Sequence, residues 1–337
     1  MQDPRFTETL LRWYAENARE LPWRRTLDPY AIWVSEIILQ QTRIAQGRSY
    51  WERFMQRFPT VEALAAASED EVLREWQGLG YYSRARNLHA AARQIAGDGR
   101  FPDTMEGLRA LKGVGDYTAA AIGSIAFGLQ EAVVDGNVYR VLARHYGREE
   151  PVGTNAAKKA FTALAKDLLP PGQAGTFNQA MMDFGALQCT PAAPDCNACP
   201  LSQTCSAYRS GRVDMLPVKK APTAVKDRHL TYIYLRCDGE TAIRKRPAGD
   251  IWQGLWEPLL FERRTEEEPL PLPAEDLKLL QKNLKHQLTH RTIHADFYLM
   301  ETKKRPELPA GYQWIPETDL DRYAKSRLFE LLLETLD

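Results

Sequence analysis

Four of the five cysteines in this chain fall within seventeen residues: Cys189, Cys196, Cys199 and Cys205, with Cys237 far away. The pattern is Cys-x6-Cys-x2-Cys-x5-Cys. Four thiolates on one short loop reach a common centre at little loop-closure cost. Iron–sulfur clusters take four thiolates, and zinc can as well. A structural zinc site more often has two separated Cys-x2-Cys pairs and here there is one, so the spacing favours iron–sulfur and leaves zinc open. No ligand position is left over for chemistry, so the expected role is to fold a loop. Arg209 and Arg212 follow closely and could set charge against a phosphate backbone. A disulfide framework would spread its pairs along a small secreted chain. A single cluster instead suggests a reducing intracellular setting.

Three other groups have types and spacing suited to chemistry. Glu36 lies in AIWVSEIILQQT, among Ile32, Trp33, Ile37 and Ile38. A lone carboxylate there is either on the wet face of a helix or partly buried, and burial would keep it protonated as a general acid. Asp135-Gly136-Asn137 precedes VYRVLARHY. Asp or Asn at that place is an ordinary helix cap, or a fixed anion able to stabilise positive charge on a sugar. Lys112-Gly113-Val114-Gly115 lies between two helical stretches, in LKGVGDYT. Glycines permit positive φ and close backbone approach, and amides at the next helix start favour an anion such as a DNA phosphate. The bland alternative is a plain helix–helix turn.

The elements that must hold these groups fall into two regions. The chain has 337 residues and a mass of 38.4 kDa, enough for two ordinary domains. Apolar residues make up 44% and charged residues 26%, which excludes a largely disordered chain. No run of 18 apolar residues occurs, and the start, MQDPRFTETLLRWYAENARE, carries acids and no long apolar core. A membrane span and a secretory signal are therefore not expected. Basic and acidic residues number 28 and 25 over 1–228, and 16 and 19 over 229–337. So weak an asymmetry announces no nucleic-acid binder, and any such role must rest on local sites.

Over 1–205 the apolar spacing is helical, near 4–18, 29–44, 60–67, 69–77, 82–97, 117–128, 136–146, 155–168 and 174–188. This predicts an all-α domain of nine or ten helices. Residues 206–228 are polar and basic and suit an interdomain linker. From 229 to 337 strand alternation appears in HLTYIYLRC, ETAIRKR and HADFYLME, with helical patterns at 274–284 and 318–335. This is a smaller α+β domain, long enough for its own core. LREWQGLGYYSRARNL (73–88) also matches LRALKGVGDYTAAAIG (108–123) at an offset of 35.

Together these residues resemble the helix-hairpin-helix DNA glycosylase superfamily, and within it the adenine DNA glycosylases of the MutY type. The similarity runs through LPWRRTLDPYAIWVSEIILQQT, GLGYYSRARNLHAAA, LKGVGDYTAAAI, VDGNVYRVLAR, FNQAMMDFGALQCTP and the cysteine loop. It continues in RKRPAGDIWQGLWEPLLF and KHQLTH, which resemble that family's C-terminal Nudix-like domain. The resemblance implies a helical glycosylase domain with a 4Fe-4S cluster on Cys189, Cys196, Cys199 and Cys205, plus a Nudix-like lesion-recognition domain. It implies removal of adenine mispaired with 8-oxoguanine or guanine from double-stranded DNA, by a cytoplasmic, nucleoid-associated bacterial enzyme acting as a monomer.

By the same resemblance Glu36 is the general acid and Asp135 stabilises the sugar cation. Asn137 orients Asp135, and Tyr117 supports both carboxylates. Trp23, Arg24 and Gln179 contact the flipped base. Tyr81 wedges into the stack, Gln41 and Leu79 hold the gap, and Thr289 and His290 sense the lesion. Lys112, Gly113, Val114 and Gly115 hold the DNA backbone. Two departures stand out. Leu288 occupies the place of the family's usual aromatic, and the C-terminal region lacks the Nudix hydrolase signature, so no nucleotide hydrolase activity is expected. A bifunctional glycosylase-lyase similar to endonuclease III would carry a lysine just inside the helix after the hairpin, where this chain has Tyr117. A non-catalytic iron–sulfur DNA-binding protein would need neither carboxylate.

Overall fold

The computed structural model describes residues 3–220, 226–263, 268 and 276–336. They divide into two compact units, Met1–Ala63 with Ala90–Ala221 and Leu64–His89 with Pro222–Asp337. Among the described residues no helix is long and apolar enough to cross a membrane.

The first unit is helical. Helix α1 (Pro4–Asn17) starts at Asp3, whose carboxylate accepts from the Phe6 amide at 3.2 Å. Helix α2 (Pro29–Ile38) starts at Asp28 in the same way, with proline at the first position, where no amide proton is needed. Every residue from Tyr30 to Ile38 is buried, so α2 runs through the interior. The single helix expected over 29–44 does not form. The Thr42 amide turns back to the Leu39 carbonyl at 3.3 Å, and Gln41 takes a left-handed φ of 60°. Gln40-Gln41-Thr42 offers no apolar face to carry α2 onward. A separate helix, α3 (Ile44–Arg57), then folds back so closely that a Cβ on Gly47 would lie 2.7 Å from the Leu39 side chain.

The remaining helices are α4 (Val61–Ala66), α5 (Glu69–Glu75), α6 (Ser83–Asp98), α7 (Met105–Ala110), α8 (Asp116–Ala126), α9 (Gly136–Tyr146), α10 (Asn155–Leu168), α11 (Ala174–Leu187) and α12 (Ser206–Arg209). One core joins α1, α9, α10 and α11 through Phe6, Leu10, Val138, Leu142, Phe161, Phe177 and Phe184. Residues 206–220, expected to run as a linker, are packed instead. Leu216 is buried in that core, and its carbonyl accepts from Arg144 Nε at 3.0 Å. The part of the expected linker at 221–225 lies outside the described residues. The two matched Gly-x-Gly segments share half a turn. The amides of Leu79 and Val114 each bond to the carbonyl three residues back at 3.1 Å, and Gly78 and Gly113 both have positive φ. They diverge at the second glycine, since Gly80 has φ 70° and Gly115 is extended at φ −93°.

The second unit is built on a mixed sheet. Its long strand β1 (Lys226–Cys237) turns at Asp238-Gly239 into β2 (Glu240–Lys245), with Cys237 paired to Glu240. Both turn residues have positive φ, the geometry a two-residue hairpin needs. Then come β3 (Trp256–Glu257), β4 (Leu259–Arg263), β5 (Lys278–Gln287), β6 (Arg291–Glu301) and β7 (Tyr312–Pro316), in the path β3-β2-β1-β6-β5 with β4 on β1 and β7 on β2. The β1–β6 pairing is parallel.

The helix expected over 274–284 is strand β5 from Lys278 on, and 274–275 lie outside the described residues. Leu277, Leu280 and Leu284 carry helical spacing. Register shifts in the ladder near Gln281, with Asn283 at φ 52°, accommodate that spacing within a strand. The helix expected over 318–335 is interrupted. A 3-10 turn (Glu317–Arg322) is followed by α13 (Arg327–Glu334), and the Ala324 carbonyl between them accepts from the Trp256 amide at 2.8 Å. Segment 64–89 belongs to this unit and is tied to it by polar side chains among other contacts. Asp70 pairs with Lys245 at 2.8 Å, Gln77 accepts from the Lys325 amide at 2.9 Å, and Arg86 donates to the Gln253 carbonyl at 2.6 Å.

Helix α11 approaches the start of α9 through Gly185, where an added Cβ would lie 2.6 Å from the Asn137 Cβ and 3.1 Å from its backbone. Gly185→Ala should therefore destabilise the protein by about 1–3 kcal/mol, the usual cost of overpacking. A urea melt with an unchanged midpoint would contradict this contact.

Candidate active site

A cavity of about 430 Å³ opens in the helical unit. Of the residues singled out from sequence, Trp23, Arg24, Glu36, Gln41, Tyr117, Asp135, Asn137 and Gln179 all line it. They come from the turn before α2, from α2 and its end, and from α8, α9 and α11. Tertiary folding thus gathers residues 23 to 179 around one space.

Glu36 is 9% exposed. Burial raises its pKa to about 7, the negative charge of Asp135 adds to the rise, and a hydrogen bond from Tyr117 and the charge of Arg24 oppose it. A carboxyl that would otherwise be ionised is thus protonated in about half the molecules near neutrality. Tyr117 itself is held well above its ordinary range by burial and by both carboxylates. Its hydroxyl also lies 3.6 Å from the Met182 sulfur.

Asp135 caps α9 and also lines the cavity. One carboxylate oxygen caps α9 by accepting from the Val138 amide at 2.8 Å, and the other accepts from Asn137 Nδ2 at 2.8 Å. Burial raises its pKa while these bonds and Arg140 counteract. Asn137 Oδ1 in turn accepts from Arg140 Nη2 at 2.8 Å. Arg140 also donates to the Gly185 carbonyl at 2.6 Å and the Cys189 carbonyl at 2.7 Å. An unbroken chain of bonds therefore runs from the cavity to the cysteine loop.

Arg24 faces the cavity with its guanidinium already engaged. It grips Asp183 with two bonds of 2.6 and 2.8 Å. Asp183 is fully buried and also accepts from the Arg19 amide at 3.0 Å. Burial would raise its pKa, but Arg24 and Arg19 outweigh that and hold it below the usual range. Sequence reasoning missed Asp183, Arg140 and Tyr14. The signal for Asp183 was present: an acid in the apolar stretch AMMDFG needs a buried cation.

The four clustered cysteines border a second cavity, and none is in a disulfide. Arg144 braces the loop, donating to the Thr190 carbonyl at 2.7 Å and approaching the Cys189 sulfur at 3.5 Å. Burial and the neighbouring thiols push Cys199 up to about 11. Thiolates therefore gather here only against a compensating positive charge.

The glycine turn is exposed at Lys112, Gly113 and Gly115, with Val114 anchored inside and no side chain capping α8. Asp116 beside it is held by Arg109 at 2.9 Å and Lys158 at 2.6 Å. In the second unit, Tyr81 is 47% exposed, has a left-handed φ of 47° and touches the Thr289 hydroxyl. Its ring lies 5.6 Å from the Arg84 guanidinium, which also covers Trp76. His290 is exposed in the β5–β6 turn, and Leu79 is buried beneath Tyr81's own turn.

These features define a helix-hairpin-helix repair fold with a Nudix-like unit. Residues 34–171 match the family described as HhH-GPD superfamily base excision DNA repair protein, and residues 231–335 match the NUDIX domain. The chain belongs to the adenine DNA glycosylase family. The adenine DNA glycosylase of Buchnera aphidicola subsp. Schizaphis graminum (strain Sg) is 32% identical over 297 residues, covering 86% of this chain and 85% of that protein. The Rattus norvegicus adenine DNA glycosylase is 44% identical over 226 residues, covering 63% of this chain, which spans only 44% of that longer protein. Among solved structures, a thermostable thymine-DNA glycosylase is similar at 34% identity with a TM-score of 0.57, covering 61% of this chain and 96% of that one.

The raised pKa of Glu36 fixes the sign of a stability effect. Its proton is held more tightly in the folded state, so stability falls as pH rises from about 4.5 to about 7 and stays lowered above that. Glu36→Gln should melt like the wild type at pH 4 and be more stable at pH 8, by on the order of 2 kcal/mol. Equal melts at both pH values would show that Glu36 ionises freely.

Proposed function

We propose that this protein is a monofunctional base-excision glycosylase that removes adenine mispaired with 8-oxoguanine or guanine in double-stranded DNA. The observation that carries this reading is the pair of acidic groups, Glu36 and Asp135, in one cavity, with Glu36 poised to keep its proton near neutral pH. Chemistry on a paired base requires that it leave the stack, and glycosylases extrude it into a pocket.

In the proposed reaction the Glu36 carboxyl protonates N7 of the extruded adenine. The C1′–N9 bond breaks, its electron pair leaves with the neutral base, and the sugar becomes an oxocarbenium ion. Asp135, fixed by the Val138 amide and Asn137, presents its carboxylate to that cation. Glu36, now ionised, takes a proton from water as the water oxygen bonds to C1′, which restores the acid. Tyr117 keeps Glu36 in place through its hydrogen bond. Backbone phosphates would be held at Lys112, Gly113, Val114 and Gly115. In the helical unit Gln41 is displayed on a left-handed turn; in the second unit Tyr81 is displayed on another and meets Thr289, beside His290, the residues that would read the lesion.

Cys189, Cys196, Cys199 and Cys205 would hold a 4Fe-4S cluster, which supplies a structural cross-link for its loop. Two features support the fit. The donors are four unpaired thiols around one cavity. The Arg144 guanidinium stands beside the loop, with Nη1 3.5 Å from the Cys189 sulfur, a positive charge that complements an anionic thiolate-ligated cluster.

Single-turnover release of adenine opposite 8-oxoguanine should be constant below pH 7 and fall about tenfold per pH unit well above it, as Glu36 loses its proton. Glu36→Gln should lower the rate by ~10²–10⁴ while leaving duplex binding intact. Retained turnover in that variant would remove Glu36 from the reaction. Borohydride should trap no covalent complex through a lysine. Strong trapping, lost on changing one lysine, would instead establish a lyase.

A further inference from the structure

Gln179 reaches the cavity from α11, and its side-chain amide has two faces to offer. Its Oε1 is already taken, because the Tyr14 hydroxyl on α1 donates to it at 2.9 Å. Burial raises the pKa of Tyr14, so the phenol keeps the proton it donates. The Tyr14 ring is itself held by Arg24, whose guanidinium carbon lies 5.9 Å from the ring centre and is locked by Asp183. The Gln179 Nε2 group has no protein partner among the described residues. Turning the amide over would set Nε2 against the Tyr14 hydroxyl and leave the phenol proton without its acceptor. Gln179 lines the cavity, so its NH2 is the donor it has to offer there, while the Arg24 guanidinium is engaged with Asp183.

We propose that Tyr14 is a specificity-determining positioning residue. By holding Gln179 Oε1, it keeps the Gln179 NH2 turned to the bound base, so the pocket takes a purine with a bare ring nitrogen on that edge. The proposal rests on the base-excision reading above. Adenine meets the requirement at N1 and N3, once N7 has been assigned to Glu36. Guanine and hypoxanthine carry a hydrogen on N1, which would oppose the Gln179 donor if N1 is the edge read. A hydrogen bond left unmade against a fixed donor is the strongest form of such discrimination.

The test is single-turnover base release by the full-length protein from duplexes with adenine, 1-deazaadenine or 3-deazaadenine opposite 8-oxoguanine. The wild type should release one of the two analogues roughly five- to tenfold more slowly than adenine. In Tyr14→Phe the adenine rate should drop by a similar factor, and the ratio of adenine to that analogue should shrink towards one, because the amide is free to turn. The proposal is overturned if Tyr14→Phe slows all three bases equally, if it keeps the wild-type ratio, or if the wild type treats all three alike. Absence of any adenine release by the wild type would sink the base-excision reading itself, a separate outcome. If Tyr14→Phe does not fold, Gln179→Glu serves instead. It still accepts from Tyr14 but turns an oxygen to the base, and should lose the same discrimination. A wild-type ratio in that variant overturns the proposal equally.

Discussion

The withdrawal of one carboxyl group from water organises the helical unit. Glu36 stands on a helix whose neighbours are all buried, and desolvation is the main cause of its raised pKa. Such a site is costly for the fold. Glu36 receives a hydrogen bond from Tyr117, and the second acid of the cavity, Asp135, is held by more. A backbone amide and an asparagine amide both donate to it, and Arg140 adds charge from behind. Burial raises the pKa of both acids, and at Asp135 a larger set of hydrogen bonds opposes that rise.

The donors for Asp135 are themselves held in place. Asn137 is fixed from the far side by Arg140, and Arg140 spans the carbonyls of Gly185 and Cys189. Gly185 has no side chain because the Asn137 backbone occupies that space. The cysteine loop and the reaction cavity therefore share one hydrogen-bonded spine along α9. Arg144, one turn further along, repeats the arrangement against Thr190 and Leu216. Arg140 thus bonds at once to the start of the cysteine loop and to the asparagine that holds Asp135.

The second unit gathers a different set of groups. Tyr81 and Thr289 are two hundred residues apart in the chain and touch, since segment 64–89 is tied to the sheet through Asp70, Gln77 and Arg86. A contiguous cut at the polar stretch 206–228 separates the sequence into plausible halves but assigns that segment to the other half. Its α5 and the start of α6 carry ordinary amphipathic spacing, which says that an apolar face is buried and not against what. Residues 206–220 misled in the opposite direction. They look like a tether, yet Leu216 and the backbone that Arg144 binds fasten them to the helical core.

Local chemistry along the chain determined the helices that begin at Asp3, Asp28 and Asp135 and the grouping of the four cysteines. In each, the deciding interactions lie within a few residues of one another. The same reach left Glu36 and Asp135 ambiguous, because wet face or interior, cap or anion, depends on atoms far away in sequence. It also mistook the register-shifted strand β5 for a helix, since the ladder with β6 breaks its alternation. Tertiary structure alone decided that Asp183 engages Arg24, that Tyr14 turns Gln179, and that both acids share one cavity. Those outcomes are set by which buried donor meets which buried acceptor, a matter of distance in space that residue spacing does not encode.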